Sequence, residues 1–254
     1  MDGGSTDGSV EILRKNESRL RWTSERDKGQ ADAVNKGFRQ TSGEILGWLN
    51  SDDTYAPGAL AAVADVFAAH PNVGVVYGDA DFIDARGGMI AHCVNVERFD
   101  RRRLLHYGDF IVQPAAFFRR SVFERVGGLD ASLHWAMDYD FWLKAAKVTE
   151  FFYLPRVLAN YRWIGTNKTG TGGEARFGEI RRVMERHGKS GLPALVRLEK
   201  VSFHLDQGQI VRGGVCLLSS PRAVVSLMQP HTWRMIRTQR ILRRAARVTA
   251  ASGG

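Results

Sequence analysis

The chain has 254 residues, 44% of them hydrophobic and 25% charged, with a formal net charge of +9. Its length allows one large domain or one domain with an appendage, and its composition excludes disordered and fibrous classes. No apolar run approaches the roughly 18 residues of a membrane span, the N-terminus has no apolar signal core, and the positive charge points to an anionic partner.

MDGGSTDGSV opens the chain as a glycine-rich acidic turn, with Asp7 placed to cap a short helix over Ser9 to Lys15. Leu20 to Thr23 reads as a brief strand, and GQADAVNKGFRQTSGE as a helix with Ala31, Val34 and Phe38 on one face and Gly43 at its end. EILGWLN (Glu44 to Asn50) is a buried strand running into SDD, and PGALAAVADVFAAHP (Pro57 to Pro71) is a helix bracketed by prolines. VGVVYGDADFID is a second buried strand ending in acids. This alternation predicts an α/β domain with a largely parallel sheet, whose ligands gather beyond the C-terminal strand ends, near Asp52, Asp53, Asp79 and Asp81.

QPAAFFRRSVFERVGGLD combines a strand with a helix opened by a Ser121 to Glu124 capping box and closed by Gly127. MDYDFWLKAAK is an amphipathic helix whose Phe141, Trp142 and Leu143 read as core, FFYLPRVLANYRW is extended, and Glu174 to His187 is a charged helix. GKSGLP (Gly188 to Pro193) is a linker into a helical, basic tail, where Trp233 to Val248 carries Arg234, Arg237, Arg240, Arg243, Arg244 and Arg247 with no acid. Cys93 and Cys216 lie far apart without a metal-binding spacing, as two thiols would.

Taken in order, DGGSTDGS, DKGQADAVNKG, GEILGWLNSDD, GGLDASLHWAMDYDFWLKA and LANYRW resemble the motifs of inverting family 2 glycosyltransferases over residues 1 to 187. The resemblance implies a GT-A fold: a mixed, mostly parallel sheet flanked by helices, N-terminally truncated, filling 1–190, with a helical basic extension over 191–254. It implies a hexosyltransferase (EC 2.4) that moves a sugar from a nucleotide-sugar donor to a saccharide or lipid-linked acceptor. Where the family has Asp-x-Asp, this chain has Asn50-Ser51-Asp52, so the resemblance makes Asp52, with Asp53 beside it, the ligands of a divalent Mg or Mn ion at the diphosphate.

By the same resemblance Asp2, Lys28, Gln30, Asn50 and Asp52 line the nucleotide site, and Arg162 and Lys168 approach the diphosphate. Asp138 falls on the general base, with Met137 where a glutamate is common and Asp140 as its competitor; His134 and Trp135 offer an acceptor a ring face. The basic tail suits docking on an anionic membrane, which puts the protein in the cytoplasm or at the inner face of the cell membrane; no motif supports nucleic-acid binding.

A strand, a helix and most of a second strand precede DGGSTD in the family. Met1 is therefore expected to be a misplaced start or a gene break, with roughly 30 to 40 residues missing. The alternative is a catalytically impaired, truncated transferase acting as a nucleotide-binding or partner module.

Overall fold

The structure, a computed structural model, describes residues 1–93, 96–164 and 166–218, and beyond them 224, 225, 227, 232, 233, 236–238, 241, 242 and 245. The elements are α1 (Ser9–Lys15), α2 (Gln30–Gln40), β1 (Ile45–Gly47), β2 (Thr54–Tyr55), α3 (Ala59–Ala69), β3 (Val73–Ile83), β4 (Met89–His92) and α4 (Arg101–His106). A 3-10 turn (Gln113–Ala115) leads into β5 (Ala116–Arg119), α5 (Arg120–Val126), α6 (Met137–Ala145) and β6 (Glu150–Arg162). The helices α7 (Lys168–Thr171), α8 (Gly173–Arg186), α9 (Ala194–Asp206) and α10 (Ile210–Leu218) follow.

Six strands form one sheet in the order β1-β5-β3-β6-β2, with β4 paired to β3. Among the described residues only β3 and β6 pair as parallel strands within it; β1–β5, β3–β5, β3–β4 and β2–β6 are antiparallel. The expectation of a mostly parallel sheet is thereby corrected. Strand–helix alternation foretells parallel neighbours only when consecutive strands lie side by side. Here β1 pairs with the distant β5, and β3 takes β5 as a neighbour after the chain has reversed through β4 and α4.

Long β3 is apolar almost throughout because both its faces are covered. Val75 and Tyr77 point into a core built with α2, α5, α6 and α8. Val73, Val76 and Ala80 point to the opposite side, against Ala59, Val63 and Phe67 of α3. The period of two separates Val75 and Tyr77 from Val76, and the irregularity of the ladder between Val73 and Val75 leaves Val73 on the α3 side. The β3–β6 register slips between Gly78 and Asp79, where Leu154 and Val157 are the partners, so that Pro155 and Arg156 bulge out of the ladder. Proline lacks an N–H for the ladder and is tolerated at such a bulge. Gly78 faces it closely: a Cβ there would lie 2.6 Å from the Arg156 carbonyl oxygen.

Phe141, Trp142 and Leu143 are buried as expected, the Phe141 ring 4.7 Å from Phe118. Several local expectations are corrected. Leu20 to Thr23 is not a strand; a single parallel bridge, Asp2 to Ser24, stands in its place. Ser121 does not cap α5, which starts at Arg120 with Arg119 as N-cap, although Gly127 does end it at φ 79°. Asp79 and Asp81 sit within β3 instead of at its tip; Asp79 accepts a hydrogen bond from the Tyr153 hydroxyl at 2.7 Å, and Asp81 meets His92 at 2.6 Å. The basic helix expected between Trp233 and Val248 lies largely outside the described residues. Among the described residues no helix is long and apolar enough to cross a membrane, and Cys93 and Cys216 form no disulfide.

Candidate active site

Beyond the C-terminal end of β1 the chain places Trp48, Asn50, Asp52 and Asp53 on one wall of a cavity of about 1220 Å³, which Gln30 of α2 and Lys168 of α7 also line. Asn50 is the hub of this wall. Its Oδ1 accepts hydrogen bonds from Gln30 Nε2 (2.7 Å) and Trp48 Nε1 (3.0 Å), and its Nδ2 donates to Asp53 Oδ2 (3.2 Å) and Gln113 Oε1 (3.1 Å). That uses every donor and acceptor site of a primary amide. Gln113 in turn donates to the Trp48 carbonyl. A carboxylate at position 50 would face Asp53 and Gln113 oxygen to oxygen. Asn50→Asp is therefore expected to cost about 1 to 3 kcal/mol of stability, read as a lower urea midpoint. A midpoint equal to that of the wild type would refute this account of the amide.

Asp53 is buried, and its Oδ1 accepts the backbone N–H of Arg162 at 2.8 Å. Burial pushes its carboxyl up to about 6, against the pull of the Arg162 N–H and the Asn50 amide, and the neighbouring Asp52 charge adds to the rise. Asp52 is exposed. Arg162 binds loop backbone: Nε donates to the Asp52 carbonyl (2.7 Å), and Nη1 donates to the carbonyls of Asp84 (2.6 Å) and Ala85 (3.1 Å). Lys168 Nζ donates to Gln30 Oε1 at 2.9 Å. Burial lowers the Lys168 ammonium, while the charges of Asp138 and Glu179 pull the other way.

The first turn of α6 has no side-chain cap from its own segment. Glu179 of α8, itself 2% exposed, supplies one from outside: its carboxylate accepts the N–H groups of His134 (2.8 Å), Trp135 (2.6 Å) and Ala136 (2.7 Å). The Ala136 N–H, at the N-cap of α6, is one of the donors a helix start leaves unsatisfied, whereas His134 and Trp135 belong to the loop before it; a negative charge there also suits the helix dipole. Asp138 and Asp140 both lie in this turn and differ in surroundings. Asp140 is buried between Lys144 (2.6 Å) and His187 (3.1 Å). Burial acts to raise its carboxyl, but the bonds from His187 and Lys144 outweigh it and hold it low. Asp140 is an internal ion-pair residue.

Asp138 instead lines a second cavity of about 110 Å³ with Asp109, Trp135, Tyr139, Arg176 and Glu199. Its Oδ1 accepts the Tyr139 N–H at 2.8 Å. Burial raises the Asp138 carboxyl above the usual range against the Tyr139 N–H and the charges of Arg176 and Lys168. Asp109 stands well above that range, through burial first and the charge of Asp138 second.

Of the residues singled out in the sequence, Gln30, Asn50, Asp52, Asp53 and Lys168 share the large cavity, and Asp138 and Trp135 share the small one. The other four lie elsewhere. The Asp2 carboxylate closes its own turn, accepting from the N–H groups of Gly4 and Ser5 (3.0 Å each) and the hydroxyls of Ser5 and Ser24 (2.5 Å each). The hydroxyls of Ser24 and Ser5 hold it well below the usual range. Lys28 and His134 are exposed and line neither cavity, and Arg162 serves the loop as described. The residues that sequence reasoning missed are Trp48, Asp109, Gln113, Arg176 and Glu179.

The large cavity thus opens beyond the end of β1, and the small one lies at the start of α6. The sequence matches the family model described as Glycosyl transferase family 2 over residues 1–127. The chain belongs to glycosyltransferase family 2. This family 2 member is 30% identical over 199 residues to the uncharacterized glycosyltransferase Rv1514c of Mycobacterium tuberculosis (strain ATCC 25618 / H37Rv), covering 74% of this chain and 71% of that protein. It is 30% identical over 169 residues to the chondroitin synthase of Escherichia coli, covering 65% of this chain but only 24% of the synthase.

Solved structures share the fold of this glycosyltransferase, two of them as follows. S. aureus TarS 1-349 in complex with UDP-GlcNAc superimposes with a TM-score of 0.58 at 16% identity, over 99% of this chain and 80% of that one. Mannosyltransferase PcManGT from Pyrobaculum calidifontis, in complex with GDP-Man and Mn2+, gives 0.55 at 19% identity, over 97% and 75%. The likeness is that of a mixed, curled sheet flanked by helices.

Among the described residues no three His, Cys, Asp or Glu side chains cluster as a metal cage. Asp53, expected as a ligand, gives its oxygens to the Arg162 N–H and the Asn50 amide. Asp52 is left as the exposed carboxylate of the motif. Magnesium and manganese are commonly held by one or two carboxylates together with substrate phosphates. The donor set fits a metal shared between Asp52 and a diphosphate, and does not fit one caged by protein alone.

Proposed function

We propose that this glycosyltransferase moves a sugar from a nucleotide-diphosphate donor to a hydroxyl of a saccharide acceptor, with inversion at the anomeric carbon. The observation that carries the reading is a pair of cavities with separate linings, one beyond the end of β1 and one at the start of α6. Gln30, Asn50 and Asp52 line the large cavity, Asp138 lines the small one, and Lys168 is electrostatically in reach of both.

The donor lies in the large cavity with its diphosphate toward Asp52 and Lys168. Asp52 would hold a magnesium or manganese ion, which when bound supplies positive charge against the diphosphate. The acceptor hydroxyl lies at Asp138. Its oxygen attacks the anomeric carbon while the bond from that carbon to the diphosphate oxygen breaks, and the bonding pair leaves with the diphosphate. The hydroxyl proton passes to Asp138, whose raised carboxyl matches a base working nearer neutrality than an ordinary aspartate. Lys168 offsets charge on the leaving diphosphate. Glu179 holds the turn that carries Asp138, so the base is fixed before substrate arrives.

Nucleotide release by the purified chain from UDP-GlcNAc, GDP-mannose and other nucleotide sugars, with magnesium or manganese and a panel of saccharide acceptors present, tests this. Release from at least one donor, lowered by Asp52→Ala, is expected. A chain that binds nucleotide sugars in calorimetry but releases nucleotide from none of them would be a binding module, and the proposal would fall.

A further inference from the structure

The small cavity holds one more carboxyl than a single displacement requires. Gly108, at φ 134°, turns the chain out of α4, and Asp109 follows it. Asp109 Oδ1 accepts the Ile111 N–H at 2.9 Å, which fixes the carboxyl, and the described residues give its Oδ2 no hydrogen bond. Asp138 is held in the same way by the Tyr139 N–H, again leaving an oxygen for a ligand. The two carboxyls share a cavity of about 110 Å³ with the Trp135 indole. At about 30 Å³ per water this is room for three or four waters, or for one edge of a sugar ring.

The charged groups facing the pair come from three further helices: Lys168 of α7, Arg176 of α8 and Glu199 of α9. Arg176 Nη1 is engaged by Glu199 at 2.9 Å, and Lys168 by Gln30. Each cation thus has a partner of its own, and the carboxyls of Asp109, Asp138 and Glu199 outnumber Arg176 around the cavity, which opposes an acceptor carboxylate or phosphate. Two carboxyls lining one small cavity also resist double ionisation, so the pair retains a proton under conditions that ionise an isolated aspartate. A protonated Asp109 can donate one hydrogen bond where the ionised Asp138 accepts another, which matches two hydroxyls on neighbouring carbons.

Resting on the transferase reading above, we infer that Asp109 grips the hydroxyl next to the one that Asp138 deprotonates, and that the acceptor unit is an uncharged sugar presenting two adjacent hydroxyls. Asp109 is a specificity residue, and a uronic acid or a phosphorylated sugar is disfavoured in this cavity.

Saturation-transfer NMR on the full chain, without donor, tests this with methyl glucopyranoside, methyl galactopyranoside, methyl mannopyranoside and, as the anionic probe, methyl glucuronide. At least one uncharged pyranoside binds, and the glucuronide binds about tenfold more weakly. Asp109→Ala weakens the uncharged ligand about tenfold, and Asp109→Asn, which keeps an amide donor, weakens it less. Three results overturn the inference: no uncharged pyranoside binds, the glucuronide binds as tightly, or folded Asp109→Ala binds as wild type does. If Asp109→Ala does not fold, monodeoxy analogues of the bound pyranoside on wild type decide. Loss of one of two adjacent hydroxyls weakens binding about tenfold, and equal binding of every analogue overturns the inference. Nucleotide release separates the two readings. Pyranosides bound without release sink the transferase reading, whereas release without pyranoside binding sinks this inference alone.

Discussion

Asp138→Asn is expected to lower the transfer rate by about 10² to 10⁴-fold while leaving the chain folded. The amide keeps the shape of the carboxyl and an oxygen to accept the Tyr139 N–H, so the helix start is preserved. What it loses is the ability to take a proton. In the wild type the rate should fall as pH drops through a midpoint above the ordinary aspartate value of about 3.9, because burial raises the Asp138 carboxyl. Stability runs the other way. The unfolded chain releases the Asp109 and Asp138 protons at ordinary values and the folded chain holds them to higher pH, so the pair's contribution is full below the ordinary value and is lost as pH rises through the raised ones. Rate and melting temperature measured across one pH series should therefore move in opposite directions over that window. A rate that Asp138→Asn leaves intact would remove the base from this account. Asp140 is the control: cutting its bonds to Lys144 and His187 should lower stability before it lowers the intrinsic rate.

The second large effect belongs to Glu179, which touches no substrate. Glu179→Ala leaves three N–H groups at the start of α6 without their acceptor, of which the Ala136 donor lies on a buried residue. The loss is expected to be about 3 to 5 kcal/mol, read as a lower urea midpoint. Glu179→Gln is the sharper variant. One amide oxygen can serve two of the three donors, and the NH2 group then faces the third, so an intermediate loss follows. Because the turn carries Asp138, kcat should fall by about ten- to a hundredfold in Glu179→Gln while the donor KM stays near wild type. A wild-type kcat in a folded Glu179→Gln would show that the turn does not position the base.

The sequence makes some of this legible and hides the rest for physical reasons. Elements set by local periodicity were readable: α2 from Ala31, Val34 and Phe38, α3 from its flanking prolines, and β3 from its apolar run. Strand neighbours were not. β1 lies beside β5 through long-range pairing that no local pattern encodes. Ser121 matched a capping signature, yet the helix began one residue before it, because the boundary follows from how β5 feeds α5. At the site, motif residues such as Gln30, Asn50, Asp52 and Asp138 stood out, but what each one does depends on partners distant in sequence. Asn50 looked like a lost acid, and the structure gives its amide four partners no acid could satisfy together. Glu179 carried a readable signal: it shares the apolar stripe of α8 with Ile180, Val183 and Met184, and a charge there needs a partner. Asp109 had only the weaker sign of an acid between a glycine and an apolar run.

The anomeric configuration of the first transfer product tests the central claim most directly. It can be read by proton NMR during turnover of an α-linked donor such as UDP-GlcNAc or GDP-mannose. A single displacement assisted by Asp138 predicts a β-linked product from the first turnover onward. An α-linked first product would contradict it, since retention requires a second step that one base on one face does not provide.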